Sequence, residues 1–256
     1  SLTGSARVGK LLIKASAETL KRTSMELGGH APVIIYADAD AEAIAEQAAL
    51  VKFKHCGQVC ASPSRYFIHE SQAEAFTNKF IEIAQNFKLG NGMESGVDIG
   101  PLATKKRLKE VELMVSGTLK SGARLRLGGK RPERFDRGFF YEPTVFDQVP
   151  DHAPIMQEEP FGPLVPITTF RSFEEVIERA NSVEYGLTSY VFTRSQRLAH
   201  DTADALEAGM VGVNTFALAS AETPYGGIKQ SGYGREGGFQ GIHDYLNIKY
   251  INMVTE

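Results

Sequence analysis

Tryptophan is absent from the 256 residues, and cysteine occurs only at Cys56 and Cys60. Two thiols cannot build the disulfide framework of a small secreted scaffold, so a reducing, cytoplasmic setting is expected. Near the C-terminus the longest charge-free apolar stretch, Ala208 to Ala221, has 14 residues and includes Asn214 and two glycines. That is short of the roughly 18 needed to span a bilayer, and no transmembrane helix is expected. There is no basic block: 28 basic against 31 acidic residues leave a formal charge of −3, which gives a nucleic-acid surface little electrostatic support. No initial methionine and no basic-then-apolar leader opens the chain. With 42% hydrophobic and 23% charged residues, disordered, collagenous and coiled-coil classes are excluded and a folded, enzyme-sized domain remains.

Strand-like and helix-like segments alternate, predicting an α/β fold with a layered, mainly parallel sheet and flanking helices. Pro32 to Tyr36 reads as a buried strand. Asp40 then caps a helix with Ala41, Ile44, Ala45, Ala48 and Val51 on its apolar stripe, ending near Phe53. A strand at Arg65 to His69 precedes a capping box, Ser71 with Glu74, and a helix carrying Phe76, Phe80, Ile83 and Phe87. Further on, a helix spans Leu108 to Leu119. Strands are expected at Ala123 to Leu127, Thr144 to Phe146 and Leu164 to Phe170, with a second capping box at Ser172 and Glu175. Leu198 to Leu206 reads as a helix with Gly209 as its C-cap, and Val211 to Val213 as a strand. Residues 224 to 238 form a glycine-rich ordered loop, and Leu246 to Met253 alternates like an edge strand.

Cys56 and Cys60 lack the second ligand pair of a structural metal site, and their spacing is one residue too long for Cys-x-x-Cys. Cys56 fits a small buried hydrophobe. Cys60 falls beyond a helix end, in a helix-to-strand connection where α/β proteins place reactive groups. As a nucleophile it would need a base or positive potential nearby, because an unperturbed thiol is only a few per cent thiolate at neutral pH. Glu26, in Met25-Glu26-Leu27-Gly28-Gly29-His30, is a carboxylate among apolar neighbours and a candidate general base. Glu158 and Glu159 precede the rigid turn Pro160-Phe161-Gly162-Pro163. Gly232, Gly234 and Gly237 satisfy G-x-G-x-x-G, but no buried strand precedes them and the chain ends too soon for the partner acid, so they are not a dinucleotide motif.

Together these segments resemble the aldehyde dehydrogenase superfamily. Phe53-x-x-x-Gly57-Gln58-x-Cys60 is similar to its nucleophile signature, Glu26-Leu27-Gly28-Gly29 to its general-base signature, and Glu159-x-Phe161-Gly162-Pro163 to its nicotinamide-riboside segment. Asn181-x-x-x-Tyr185-Gly186-Leu187, Val213-Asn214 and Pro224 to Gly237 follow in the family's order. The resemblance implies Cys60 as nucleophile and Glu26 as base. It implies cofactor contacts at Gly4, Ser5, Leu27, Glu159 and Phe161, NAD or NADP as cofactor, and no metal. It also implies that residues 1–28 end a cofactor-binding domain whose remainder, with an oxyanion asparagine, lies outside the chain, that 29–240 form the catalytic domain, and that 241–256 form an oligomerisation strand. The isolated chain is then expected to be inactive, and the full-length enzyme to be a homodimer or homotetramer.

Within the superfamily, Pro224 to Gly232 and Asp244 to Tyr250 most resemble succinate-semialdehyde dehydrogenases. The resemblance implies oxidation of succinate semialdehyde or a related semialdehyde through a cysteine thiohemiacetal and thioester. Lys54 and Ser220 would then bind the substrate's far carboxylate, with Lys54 a point charge where an arginine is common. Position 62 is Ser where some members carry a second cysteine. Two rival readings remain. One is a thiol hydrolase or acyltransferase pairing Cys60 with His55 or His69, and the other a non-enzymatic module that pairs through its terminal strand.

Overall fold

The computed structural model describes residues 1–255. The chain begins with β1 (Leu2–Thr3), α1 (Ala6–Ala17), β2 (Met25–Glu26), β3 (Ala31–Ile35), α2 (Ala41–Lys52), β4 (Pro63–His69) and α3 (Ala73–Ala84). It continues with α4 (Lys105–Lys120), β5 (Arg124–Leu127), β6 (Thr144–Asp147), α5 (Pro154–Gln157), β7 (Leu164–Phe170) and α6 (Phe173–Asn181). The last elements are β8 (Tyr185–Gly186), β9 (Thr188–Phe192), α7 (Gln196–Ala205), β10 (Met210–Val213), β11 (Ile228–Lys229) and β12 (Gly232–Tyr233). Short 3-10 segments occupy Lys54–Gly57 and Gln240–Tyr245.

Seven strands form the main sheet in the order β10-β9-β3-β4-β7-β6-β5, parallel throughout except for the β5–β6 pair. Helices cover the sheet, so β3 and β9 are buried along their whole length and read as continuous apolar or small-residue runs. The expected fold class is the one observed. Phe53 at the end of α2 packs on Phe80 of α3, which meets Tyr66 of β4, and this locks the helix that precedes Cys60 onto the sheet. Arg65 is buried, with its guanidinium donating to the carbonyls of His30, Arg179 and Ala180. One planar fork thereby ties β4 to the chain entering β3 and to the end of α6.

A second, three-stranded sheet holds β2 between β1, parallel, and β12, antiparallel. Gly232 pairs with Glu26 at φ 103, and a Cβ there would overlap the Met25 carbonyl oxygen. That glycine therefore serves strand approach, in keeping with its rejection as a phosphate motif.

Four expectations require correction. Ser71 does not cap α3: the cap position is Gln72, without a side-chain bond, and the Ser71 hydroxyl pairs with His69 Nδ1. Ser172 does cap α6 through the Glu175 N–H, but the Glu175 carboxylate reaches back to the Arg171 N–H, one residue earlier than a capping box requires. Gly209 is no C-cap, since α7 ends at Ala205 and the Gly209 N–H bonds to the Gly186 carbonyl beside β10. Leu246 to Met253 forms no ladder within the chain, and Ile248, Tyr250 and Met253 stand exposed. A strand needs a partner edge, and among the described residues of this single chain none pairs with that segment. Among the described residues no helix is long and apolar enough to cross a membrane.

Candidate active site

Strands β3, β4 and β7 lie side by side and run in one direction, so the loops feeding their amino ends meet at one edge of the sheet. Glu26 to Gly29 lead into β3, Cys60 into β4, and Glu159 to Pro163 into β7. Three glycines allow these loops to touch. A Cβ at Gly29 would overlap the Cys60 carbonyl oxygen, one at Gly57 would overlap the Gly162 carbonyl oxygen, and one at Gly28 would lie 2.7 Å from Glu159 Oε2. The turn that delivers Cys60 is strained: His55, Cys56 and Gly57 take left-handed backbone at φ 48, 57 and 72. Each of the two non-glycine residues costs roughly 1–2 kcal/mol, and strain of this kind clusters at functional loops.

The convergence encloses a cavity of about 450 Å³ bordered by Cys60, Glu26, Gly4, Ser5, Leu27, Glu159 and Phe161. Seven residues expected from the sequence to serve catalysis and cofactor binding thus share one space. Lys54 and Ser220 do not border it. Lys54 sits exposed in the 3-10 turn, and exposed Ser220 bonds within its own loop to Thr223. Neither histidine of the hydrolase reading reaches Cys60. His55 is exposed, and His69 lies at the far end of β4, about 20 Å along the strand. Neither His55 nor His69 borders the cavity that holds Cys60.

Glu26 is 7% exposed and its Oε1 has no hydrogen-bond partner. A buried oxygen left unpaired is expensive, and the Glu26 residue borders the cavity that holds the thiol. Cys60 Sγ lies 3.2 Å from Tyr225 Oη. Burial pushes the Cys60 thiol up to about 11; the Tyr225 hydroxyl draws it down and the Glu26 carboxylate pushes it further up. No cation is among the groups that draw the Cys60 thiol down; of the base or positive potential that the nucleophile is expected to need, Glu26, bordering the same cavity, is the candidate base. Glu159 accepts from the Gly29 N–H at 3.0 Å, and its carboxyl is raised to about 7, chiefly by burial.

Three residues to which sequence reading assigns no chemistry complete the site. Arg107, from the first turn of α4, borders the cavity and stacks 5.5 Å over the Phe161 ring. Tyr225 contacts the thiol. Lys52 lies fully buried beneath the site, its Nζ 3.4 Å from Ser62 Oγ, and is lowered to about 7 by burial. Lys52 had a signal, since it continues the apolar face of α2 through Ala45 and Ala48. Arg107 had none, and Tyr225 lies in the Pro224 to Gly237 segment that carries the resemblance, but its contact with the thiol depends on packing between distant segments.

The model of the aldehyde dehydrogenase family matches residues 1–251. The chain belongs to the aldehyde dehydrogenase family. It is 46% identical over 251 residues to a 3-sulfolactaldehyde dehydrogenase of Pseudomonas putida, covering 98% of this chain and 51% of the relative. It is 40% identical, over 98% of this chain and 52% of the relative, to a succinate-semialdehyde dehydrogenase [NADP(+)] of Escherichia coli. The crystal structure of a succinate-semialdehyde dehydrogenase from Burkholderia pseudomallei superposes with a TM-score of 0.94 at 42% identity, covering 97% of this chain and 51% of that one. The chain thus spans about half the length of the relatives it matches.

The residues present fit one end of a nicotinamide dinucleotide. Ser5 caps α1 and, with Gly4, brings that helix's amino end to the cavity, where the dipole favours a phosphate. Glu159 stands at the same cavity with a carboxylate suited to ribose hydroxyls, and Glu26 borders it too.

Proposed function

We propose that this chain carries the nucleophile and general base of an NAD(P)-dependent enzyme that oxidises a short aldehyde with an anionic tail, succinate semialdehyde or a related semialdehyde, to the acid. The observation that supports it most is the shared cavity of Cys60 and Glu26, between the α1 cap and the Glu159–Phe161 turn. Cys60 attacks the aldehyde carbon, forming a C–S bond and a thiohemiacetal. Its backbone N–H serves as one oxyanion donor. Bound NAD+ or NADP+ supplies a cationic hydride acceptor, held by Gly4, Ser5, Leu27, Glu159 and Phe161. Once the carbon is oxidised, Cys60 carries it as a thioester. Glu26 takes a proton from water, the water oxygen adds to the thioester carbon, and the C–S bond breaks to release the acid and the thiolate.

The relatives named above act on aldehydes that end in a carboxylate or a sulfonate. In our reading Lys54 and Ser220 meet that anion from outside the cavity, on the substrate side. Residues 1–28 then close a cofactor-binding domain, 29–240 form the catalytic domain, and 241–256 pair with a second copy in a cytoplasmic homodimer or homotetramer with no nucleic-acid or membrane partner. A panel of aldehydes on the full-length protein, read as reduced cofactor formed, tests the reading. Anionic-tailed aldehydes should be preferred, and Lys54→Met should raise their KM about tenfold while leaving neutral aldehydes unaffected. Equal preference for neutral aldehydes would contradict the substrate class, and ester hydrolysis without cofactor reduction would contradict the reaction.

A further inference from the structure

We propose that the Tyr225 hydroxyl donates a hydrogen bond to the Cys60 thiolate and sets how much of that thiolate exists, which makes Tyr225 a catalytic residue of this site. The inference rests on Cys60 being the nucleophile. Tyr225 Oη lies 3.2 Å from Sγ across 165 positions of sequence and its bond draws the thiol down, whereas the bond with Glu26 favours the protonated thiol. A neutral thiol gains little from a phenol, whereas a thiolate accepts a charge-assisted bond roughly twice as strong. The bond therefore favours the reactive form.

The other groups facing the thiol do not substitute for it. Glu26, from β2, carries charge of the wrong sign, and Glu159 and Arg107 border the same cavity without bonding Sγ. Tyr190, from β9, lies close but gives its hydroxyl to the Ala61 carbonyl at 2.6 Å. The backbone at Ala61 is the other contribution that draws the thiol down. Tyr225 itself is raised well above the ordinary range by burial and by Cys60, so it keeps its proton at neutral pH and acts as donor.

Its ring is also fixed in advance. The Tyr225 backbone exchanges two hydrogen bonds of 2.7 Å with Glu236. At the next residue, a Cβ on Gly226, whose φ is 158, would sit 2.6 Å from the Gly234 carbonyl oxygen. Arg235 Nη1 clasps the carbonyls of Gly227 and Gly234 across that bend. A donor held this way loses little freedom on meeting the thiolate.

The test is site-resolved alkylation of Cys60 by iodoacetamide, followed by mass spectrometry of the 256-residue chain across a range of pH, for wild type, Tyr225→Phe and Tyr190→Phe. Below the titration midpoint the rate falls tenfold for each unit by which that midpoint rises. Tyr225→Phe should react about tenfold more slowly at every such pH. It removes one oxygen from a half-buried ring and should melt with wild type. Tyr190→Phe, a loss of a nearby hydroxyl that does not touch Sγ, should keep the wild-type profile; an equal slowing there would reduce Tyr225 to a packing effect and overturn the proposal. An unchanged rate in Tyr225→Phe, with Cys60 still reactive, would overturn Tyr225 and leave the nucleophile intact. A Cys60 inert at every pH in wild type would overturn both.

Discussion

Replacing Lys52 with methionine should make the protein more stable at neutral pH, even though it deletes a side chain that is completely enclosed. The Lys52 ammonium has a single weak partner, Ser62 Oγ at 3.4 Å, and burial lowers it from the ordinary 10.5 to about 7, partly offset by Cys56 and Glu159. Folding therefore requires giving up a proton that the unfolded chain keeps between about pH 7 and 10.5. A difference of roughly 3.5 at about 1.4 kcal/mol each sets a ceiling of about 5 kcal/mol on the cost of carrying that charge inside. The sign follows from proton binding. In that window the unfolded state binds more protons, so wild-type stability rises with pH, and below it the full cost remains. Methionine has similar length and no charge, and exchanging buried ionic groups for apolar ones of like volume is often stabilising by about 1–4 kcal/mol. Urea denaturation of both proteins from pH 7 to 10 should show Lys52→Met ahead by about 2–4 kcal/mol at pH 7, with the gap closing as pH rises. Taking the difference cancels the buried tyrosines, which titrate near the top of that range. If the variant is less stable by a margin that does not change with pH, the ammonium is satisfied in the fold and the reasoning fails.

Gly57→Ala combines a left-handed backbone with an overlap on the Gly162 carbonyl and should cost about 3 kcal/mol by denaturation. Gly92→Ala, which meets nothing within 4 Å, should stay within about 0.5 kcal/mol. The 256-residue chain alone should bind NAD or NADP no tighter than about 0.1 mM by calorimetry, because its described residues reach one end of the dinucleotide; micromolar binding would relocate the cofactor site.

Much of this molecule is legible in its residues. Strand Leu164–Phe170 falls where its apolar run places it, and Asp40 caps α2 through the Ala43 N–H as its position predicts. β9 is harder to read: Thr188-Ser189 opens it with small polar residues that look like a loop, yet the strand is central and wholly buried. Tertiary context decides there, since both faces of a parallel sheet are covered. Ser71 misled because a capping motif is local while the start of α3 is set by how Phe76 and Phe80 reach the core. In the site, Cys60 and Glu26 carry motifs that survive in one dimension. The burial of Lys52 is legible as a continuation of the apolar face of α2, whereas the contacts of Tyr225 and Arg107 arise only when distant segments close on each other.

In the proposed reaction Cys60 forms the covalent intermediate and Glu26 releases it. Rapid mixing of the full-length protein with a semialdehyde and NADP+, following reduced cofactor, separates the two roles. Cys60→Ala should give neither burst nor turnover. Glu26→Gln should give a burst of about one equivalent per site and then stall, with steady turnover down by at least about a hundredfold. Unchanged turnover in Glu26→Gln, or a burst in Cys60→Ala, would contradict the account.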